Sequence, residues 1–158
     1  MIKISLAILT FIALSFFQNK DSEKFPIKKR VVKTDQEWEK ILSPQAYQIA
    51  RLKGTEKAFS HPYNSNYLKG HYTCIACGNV LFLSKHKFDS GTGWPSFYDE
   101  ASDTSLYKKA EFSSWDPYYE LLCMKCDAHL GHVFNDGPEP TGKRYCINGT
   151  ILKFIRHE

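Results

Sequence analysis

The chain lacks the features that would mark it as a nucleic-acid binder or a bilayer-spanning protein. Its 21 Lys and Arg against 17 Asp and Glu leave only +4 over 158 residues, spread along the sequence rather than gathered in a stripe. A balance so even argues against recognition of a polyanion, so no nucleic-acid partner is expected. There are no internal repeats and no low-complexity tract. The longest apolar run, Ile4 to Phe17, is about 14 residues, short of the roughly 20 that a membrane helix needs. Preceded by Lys3 and followed by a polar stretch, it has the form of a secretory leader over residues 1–20, either cleaved or kept as a weak N-terminal anchor. No cysteine follows the run, which excludes a lipid attached there. The expected location is therefore outside the cytosol, in a periplasm or cell envelope. Without residues 1–20 the charge falls to about +2, which weakens any electrostatic partner further.

What the chain does have is sulfur in an ordered pattern. Five cysteines form two Cys-x-x-Cys pairs, Cys74/Cys77 and Cys123/Cys126, and a singleton, Cys146. Four thiolates in two such knuckles make a tetrahedral zinc site with no open position, which is a structural rather than a catalytic arrangement. The pairs stand 45 residues apart, so one ion would tie together loops distant in sequence. Export raises the alternative of disulfides. A bridge inside Cys-x-x-Cys would be strained and easily reduced, and the neighbouring glycine and polar residues suit a metal knuckle better.

At this length one domain is expected, and 42% apolar with 15% aromatic residues supply a core. Residues 21–33 read as an extended lead-in, and residues 34–158 as the folded domain. Thr34-Asp35-Gln36-Glu37 is a capping box that predicts a helix over Asp35–Leu42. Ser43-Pro44 opens a second helix, predicted to run to Lys53 and stop at Gly54. Residues 55–70 read as loop. From His71 the pattern is one of short strands: His71–Thr73, Val80–Leu83, Ser105–Trp115, Tyr118–Leu122, Leu130–Phe134, Arg144–Asn148 and Ile151–Ile155. Lys85–Phe97, with Gly91, Gly93 and Pro95, reads as a shaped loop. The expected fold is mainly β, with antiparallel sheets, two short N-terminal helices and a zinc clamp.

Cys146 has no structural partner in this scheme. A free cysteine is most often a small buried hydrophobe. Its neighbours point elsewhere: Arg144 shares its strand face, where a guanidinium favours the thiolate, and Asn148 lies two residues on with an amide that both donates and accepts. His129 and His132 are natural proton carriers near neutral pH. Trp94, between Gly93 and Pro95, can wall an apolar pocket.

Five segments occur in order: Cys74-Ile75-Ala76-Cys77-Gly78, the run Phe88 to Phe97 with Gly91-Thr92-Gly93-Trp94-Pro95, Cys123-Met124-Lys125-Cys126, His129-Leu130-Gly131-His132-Val133-Phe134 and Arg144-Tyr145-Cys146-Ile147-Asn148. With Gly54-Thr55-Glu56 they resemble the type B methionine-R-sulfoxide reductases, over roughly residues 30–155. The resemblance implies an open, barrel-like arrangement of sheets (a β-tent), and one structural zinc on Cys74, Cys77, Cys123 and Cys126. It implies a catalytic set of Cys146 as nucleophile, His129 and His132 as proton donors, and Asn148 and Arg144 supporting the nucleophile. Trp94 would pack on the substrate methyl. The substrate would be oxidised methionine in a protein or peptide, and the intermediate a Cys146 sulfenic acid. Many members carry a resolving cysteine where this chain has Thr92, so an external reductant is expected: a thioredoxin-like protein, a glutaredoxin-like protein or a small thiol. A monomer is expected.

Overall fold

The computed structural model describes residues 29–111 and 118–158. The expected leader, most of the lead-in and the Phe112–Trp115 end of one predicted strand lie outside these residues. Helix α1 spans Asp35–Ile41 and α2 spans Pro44–Ala50. The capping box is formed: the Thr34 backbone N–H donates to Glu37 Oε2 at 2.7 Å and the Glu37 N–H donates to Thr34 Oγ1 at 3.3 Å. Ser43 Oγ caps α2 by accepting from Ala46 N at 3.2 Å.

Helix α2 ends three residues before the expected stop. Lys53, not Gly54, takes the left-handed conformation, with φ 57°. Gly54 instead donates its N–H to Gln48 O at 2.9 Å. A Cβ at that position would stand 3.0 Å from the same oxygen, so glycine is used for close approach rather than for its dihedral freedom.

Among the described residues nine strands follow: β1 Gly70–Cys74, β2 Val80–Leu83, β3 Lys87–Phe88, β4 Ser96–Phe97, β5 Leu106–Glu111, β6 Tyr118–Cys123, β7 His129–Phe134, β8 Arg144–Ile147 and β9 Leu152–Arg156. The predicted loop over Lys85–Phe97 thus contains two short strands, each two residues long and too brief to carry a periodic signal. All pairings are antiparallel. They make a three-stranded sheet, β2-β1-β9, and a six-stranded sheet, β3-β4-β8-β7-β6-β5. Both sheets are open rather than closed into a barrel.

The sheets meet over an aromatic seam. Phe82 of the small sheet stacks on Phe97 of the large one at 4.3 Å between ring centres, and Tyr72 meets Phe97 edge-on at 5.2 Å. These rings are fully buried, as are Leu81, Leu121, Leu130 and Ile147. Burying each such side chain contributes roughly 1.5–3 kcal/mol. Strand β5, at the sheet's edge, is mostly exposed and carries Lys108 and Lys109, the charges that discourage edge-to-edge pairing.

Candidate active site and metal cluster

The two Cys-x-x-Cys segments are hairpin turns of the same design. One joins β1 to β2 in the small sheet and the other joins β6 to β7 in the large sheet. Cys74 N–H donates to Asn79 O at 2.8 Å and Cys123 N–H donates to Ala128 O at 2.9 Å. Gly78 and Asp127 occupy equivalent places, each with positive φ (70° and 56°), and each N–H returns to the first cysteine's carbonyl. Left-handed backbone at both turns aims the sulfurs inward.

The four sulfurs lie within 4.8 Å of one another. Cys74 Sγ is 3.8 Å from Cys126 Sγ, and Cys77 Sγ is 3.6 Å from Cys123 Sγ. A disulfide would bring them to about 2.05 Å. Sulfurs about 2.3 Å from a tetrahedral zinc stand about 3.8 Å apart, so these residues fit the ion. Such an ion would pin one hairpin of each sheet to the other. Positive groups surround the cluster, with Arg51 Nη1 on Cys126 O at 3.1 Å and Lys125 Nζ on Cys77 O at 3.1 Å. Arg30 pairs with Asp127.

The fifth sulfur is elsewhere. Cys146 sits in β8, paired with Ser96 of β4 on one side and His132 of β7 on the other. It opens into a cavity of about 180 Å³ lined by Trp94, His132, Phe134, Asn148 and Thr55. That is several times the ~30 Å³ share of one water molecule, enough for a small functional group. The close approach of β7 and β8 depends on Gly131, whose φ is 151° and whose added Cβ would lie 2.0 Å from Cys146 O.

The remaining expected site residues surround this cavity in two ways. Trp94, His132 and Asn148 line it with Cys146; His129 and Arg144 are not among its lining residues, although the Arg144 guanidinium interacts with the Cys146 sulfur. Asn148 follows β8 rather than extending it, and its amide is committed. Its Nδ2 donates to Leu130 O at 3.1 Å, and its Oδ1 accepts from Glu56 N at 3.0 Å. It therefore fixes the backbone beside Cys146. Arg144 does share the face of Cys146, but its guanidinium is held by Asp136 through two bonds of 2.9 and 2.7 Å and lies over the Phe134 ring. Burial pushes the Cys146 thiol up, while Arg144 and the Thr92 side chain pull it partly back. Burial prevails and the net direction is up, which favours the thiol, where the position of Arg144 alone suggested a thiolate.

Several participants were not read from the sequence. Glu120, in β6 and fully buried, accepts from His129 Nδ1 at 2.9 Å and from Lys53 Nζ at 2.7 Å. Burial pushes the Glu120 carboxyl up, but these two donors outweigh it and the net direction is down. Burial also lowers the His129 imidazole, against the opposing pull of Glu120. The one signal for Glu120 was an acid inside the apolar-flanked run Tyr118-Tyr119-Glu120-Leu121-Leu122. Glu56 is a second. Its carboxylate accepts from Gly149 N at 2.6 Å, Thr150 N at 2.8 Å and Thr150 Oγ1 at 2.6 Å, and its carbonyl accepts from Trp94 Nε1 at 3.1 Å. One residue thereby joins the Trp94 wall to the turn that follows Cys146 and Asn148.

Comparison with known proteins agrees with this architecture. Residues 42–156 match the model of the SelR domain. A protein of Methanosarcina barkeri named peptide methionine sulfoxide reductase MsrB is 51% identical over 131 residues, covering 83% of this chain and 92% of its own. One of Leptospira interrogans with the same name is 53% identical over 124 residues, covering 78% and 95%. One of Pseudomonas fluorescens, also so named, is 50% identical over 127 residues, covering 80% and 98%. With two sheets, four clustered thiols and a fifth thiol in its own cavity, the chain belongs to the SelR-domain family, that of the type B methionine sulfoxide reductases.

Proposed function

We propose that this protein reduces methionine sulfoxide, with preference for the R epimer, in oxidised proteins or peptides. The reading rests on one observation above all: the only cysteine outside the sulfur cluster opens into a cavity with an indole on one wall and an imidazole on another. Trp94 offers an apolar surface to the substrate methyl group. His132, directly across the ladder from Cys146, can protonate the sulfoxide oxygen, which is a poor leaving group unless protonated.

The thiol, the form that burial favours at Cys146, simplifies the proton balance. The Cys146 sulfur attacks the sulfoxide sulfur, the sulfur–oxygen bond breaks, and the oxygen ends on Cys146 as a sulfenic acid. Methionine is released, reduced by two electrons, and Cys146 is oxidised by two. The proton that leaves the thiol is the one the oxygen requires, so the site has to move it rather than import it. Regeneration falls to an external thiol. Thr92 has no sulfur to offer, and the four other thiols are gathered in their own cluster. Attack by that thiol on the sulfenic acid forms a mixed disulfide and releases water; a second thiol frees Cys146. We infer zinc as the ion of the four-sulfur cluster, with a structural role. The residue 1–20 pattern supports an exported protein acting on envelope or secreted substrates, and we propose that it acts as a monomer.

Single-turnover reaction with each sulfoxide epimer, followed by intact-mass analysis, tests the scheme. One added oxygen on Cys146 with the R epimer, and no turnover by Cys146→Ser, are expected. Faster reduction of the S epimer, or an internal disulfide containing Cys146, would overturn it.

A further inference from the structure

His129 is shut away from solvent, and the two faces of its ring nitrogen chemistry are unequal. Nδ1 meets Glu120 Oε1 at 2.9 Å, whereas Nε2 is buried and has no hydrogen-bond partner among the described residues. An ionised carboxylate can only accept, so Nδ1 must carry the proton. A neutral imidazole has one N–H, which leaves Nε2 as a bare lone pair. His132 lies against this ring, 5.4 Å between centres and nearly edge-on, and it is His132 that shares the cavity with Cys146. A proton acceptor held in a dry place behind the cavity histidine suits a reaction that must carry a proton from sulfur to oxygen.

Lys53 decides what Glu120 can do. Its ammonium offers only donors, and it sits 2.7 Å from the second oxygen of Glu120. Lys53 reaches this point because α2 ends early and the chain turns at Lys53 itself. The carboxylate therefore has an acceptor for each neighbour, one oxygen for the lysine and one for the imidazole.

We propose that Glu120, with Lys53 behind it, is a positioning residue for the sulfoxide reaction: it locks His129 in the tautomer protonated at Nδ1, so that Nε2 is kept free to accept a proton by way of His132 or a bridging water. This deepens the proposed function and rests on it. Glu120 touches neither substrate nor nucleophile.

The chemistry of a single substitution exposes the lock. In Glu120→Gln the amide has one oxygen for two donors. The charged Lys53 claims it, and the NH2 group turns to His129. Nδ1 must then accept, and the proton moves to Nε2, where it blocks the free lone pair. In the double variant Lys53→Met/Glu120→Gln nothing competes for the amide oxygen. It turns to His129, and the original tautomer returns.

The test combines 15N NMR of histidine-labelled protein, which reads the tautomer without any turnover, with steady-state kinetics on R-methionine sulfoxide. The expected wild-type form is the Nδ1–H tautomer. Glu120→Gln shows Nε2–H, with kcat lowered roughly 100-fold, the scale of lost proton-transfer catalysis, and KM little changed. The double variant regains Nδ1–H and most of kcat, which a merely destabilised core would not do. An Nε2–H tautomer in the wild-type protein would overturn the proposal without need of any variant. So would a double variant as slow as Glu120→Gln. Tautomers that switch as described in a protein that reduces no sulfoxide would uphold the lock and sink the proposed function instead.

Discussion

The sulfur-rich end of the molecule and the lone-sulfur cavity use the same side chain for opposite ends. At the first, four thiols meet within 4.8 Å at the tips of two hairpins with matching turns. At the second, one thiol sits within a sheet, flanked by strands, with an open space in front of it. A cysteine surrounded by other cysteines is placed to be held by a metal, which would suppress its reactivity. A cysteine beside an indole, an imidazole and a guanidinium has no such claim on its sulfur. Company, more than exposure, separates the two regions, since half-buried sulfur occurs in both, Cys77 in the cluster and Cys146 at the cavity.

The largest expected effect breaks the sulfur-rich end alone. Stripping the metal with a chelator should cost on the order of 10 kcal/mol of folding free energy, because binding and folding are coupled in such sites. Loss of near-ultraviolet circular dichroism would show it, and a chelated protein that melts at its original temperature would refute the clamp. Cys146→Ser, by contrast, should keep one metal per chain. Next in size is Gly131→Ala, aimed at the cavity. A methyl group where 2.0 Å is available must push β8 away, for about 1–3 kcal/mol in stability. Displacement of Cys146 by about 1 Å should lower kcat roughly 100-fold. Unaltered kcat would show that the sheet gives way without moving the nucleophile.

A subtler contrast lies in ionisation. Because burial raises the Cys146 thiol, its alkylation by iodoacetamide should have a midpoint above pH 9.0, the ordinary value, with the reactive thiolate gained as pH rises. Arg144 pulls in the other direction, so Arg144→Gln should move the midpoint further up. A midpoint below the ordinary value would mean that the guanidinium, not burial, governs the sulfur. The smallest effect is remote from both ends. Thr34→Ala removes the capping box of α1 and should cost about 1 kcal/mol, read by thermal melting, with turnover unchanged.

The sequence made some of this legible and left the rest hidden, for physical reasons. Paired cysteines at fixed spacing encode a local turn, so the cluster could be read directly from Cys74, Cys77, Cys123 and Cys126. The capping box at Thr34 was equally local. Strands β3 and β4 were not, since two residues carry no period. Nor was the extent of α2, where a lysine adopted the backbone angle that glycine usually supplies. The partners of the histidines were hidden most deeply. Glu120 and His129 are nine residues apart but meet because β6 and β7 fold back on each other with a shift in register, and Lys53 arrives from 67 residues away. Asn148 was placed on the strand face by simple alternation, yet the chain turns there under the grip of Glu56.

The burial that raises the Cys146 thiol bears on survival as well as on turnover. Peroxide and hypohalous oxidants attack thiolates far faster than thiols. A reductase whose buried sulfur favours the protonated form would be spared by the same chemicals that oxidise methionine, and would outlast a burst that inactivated a permanently ionised counterpart.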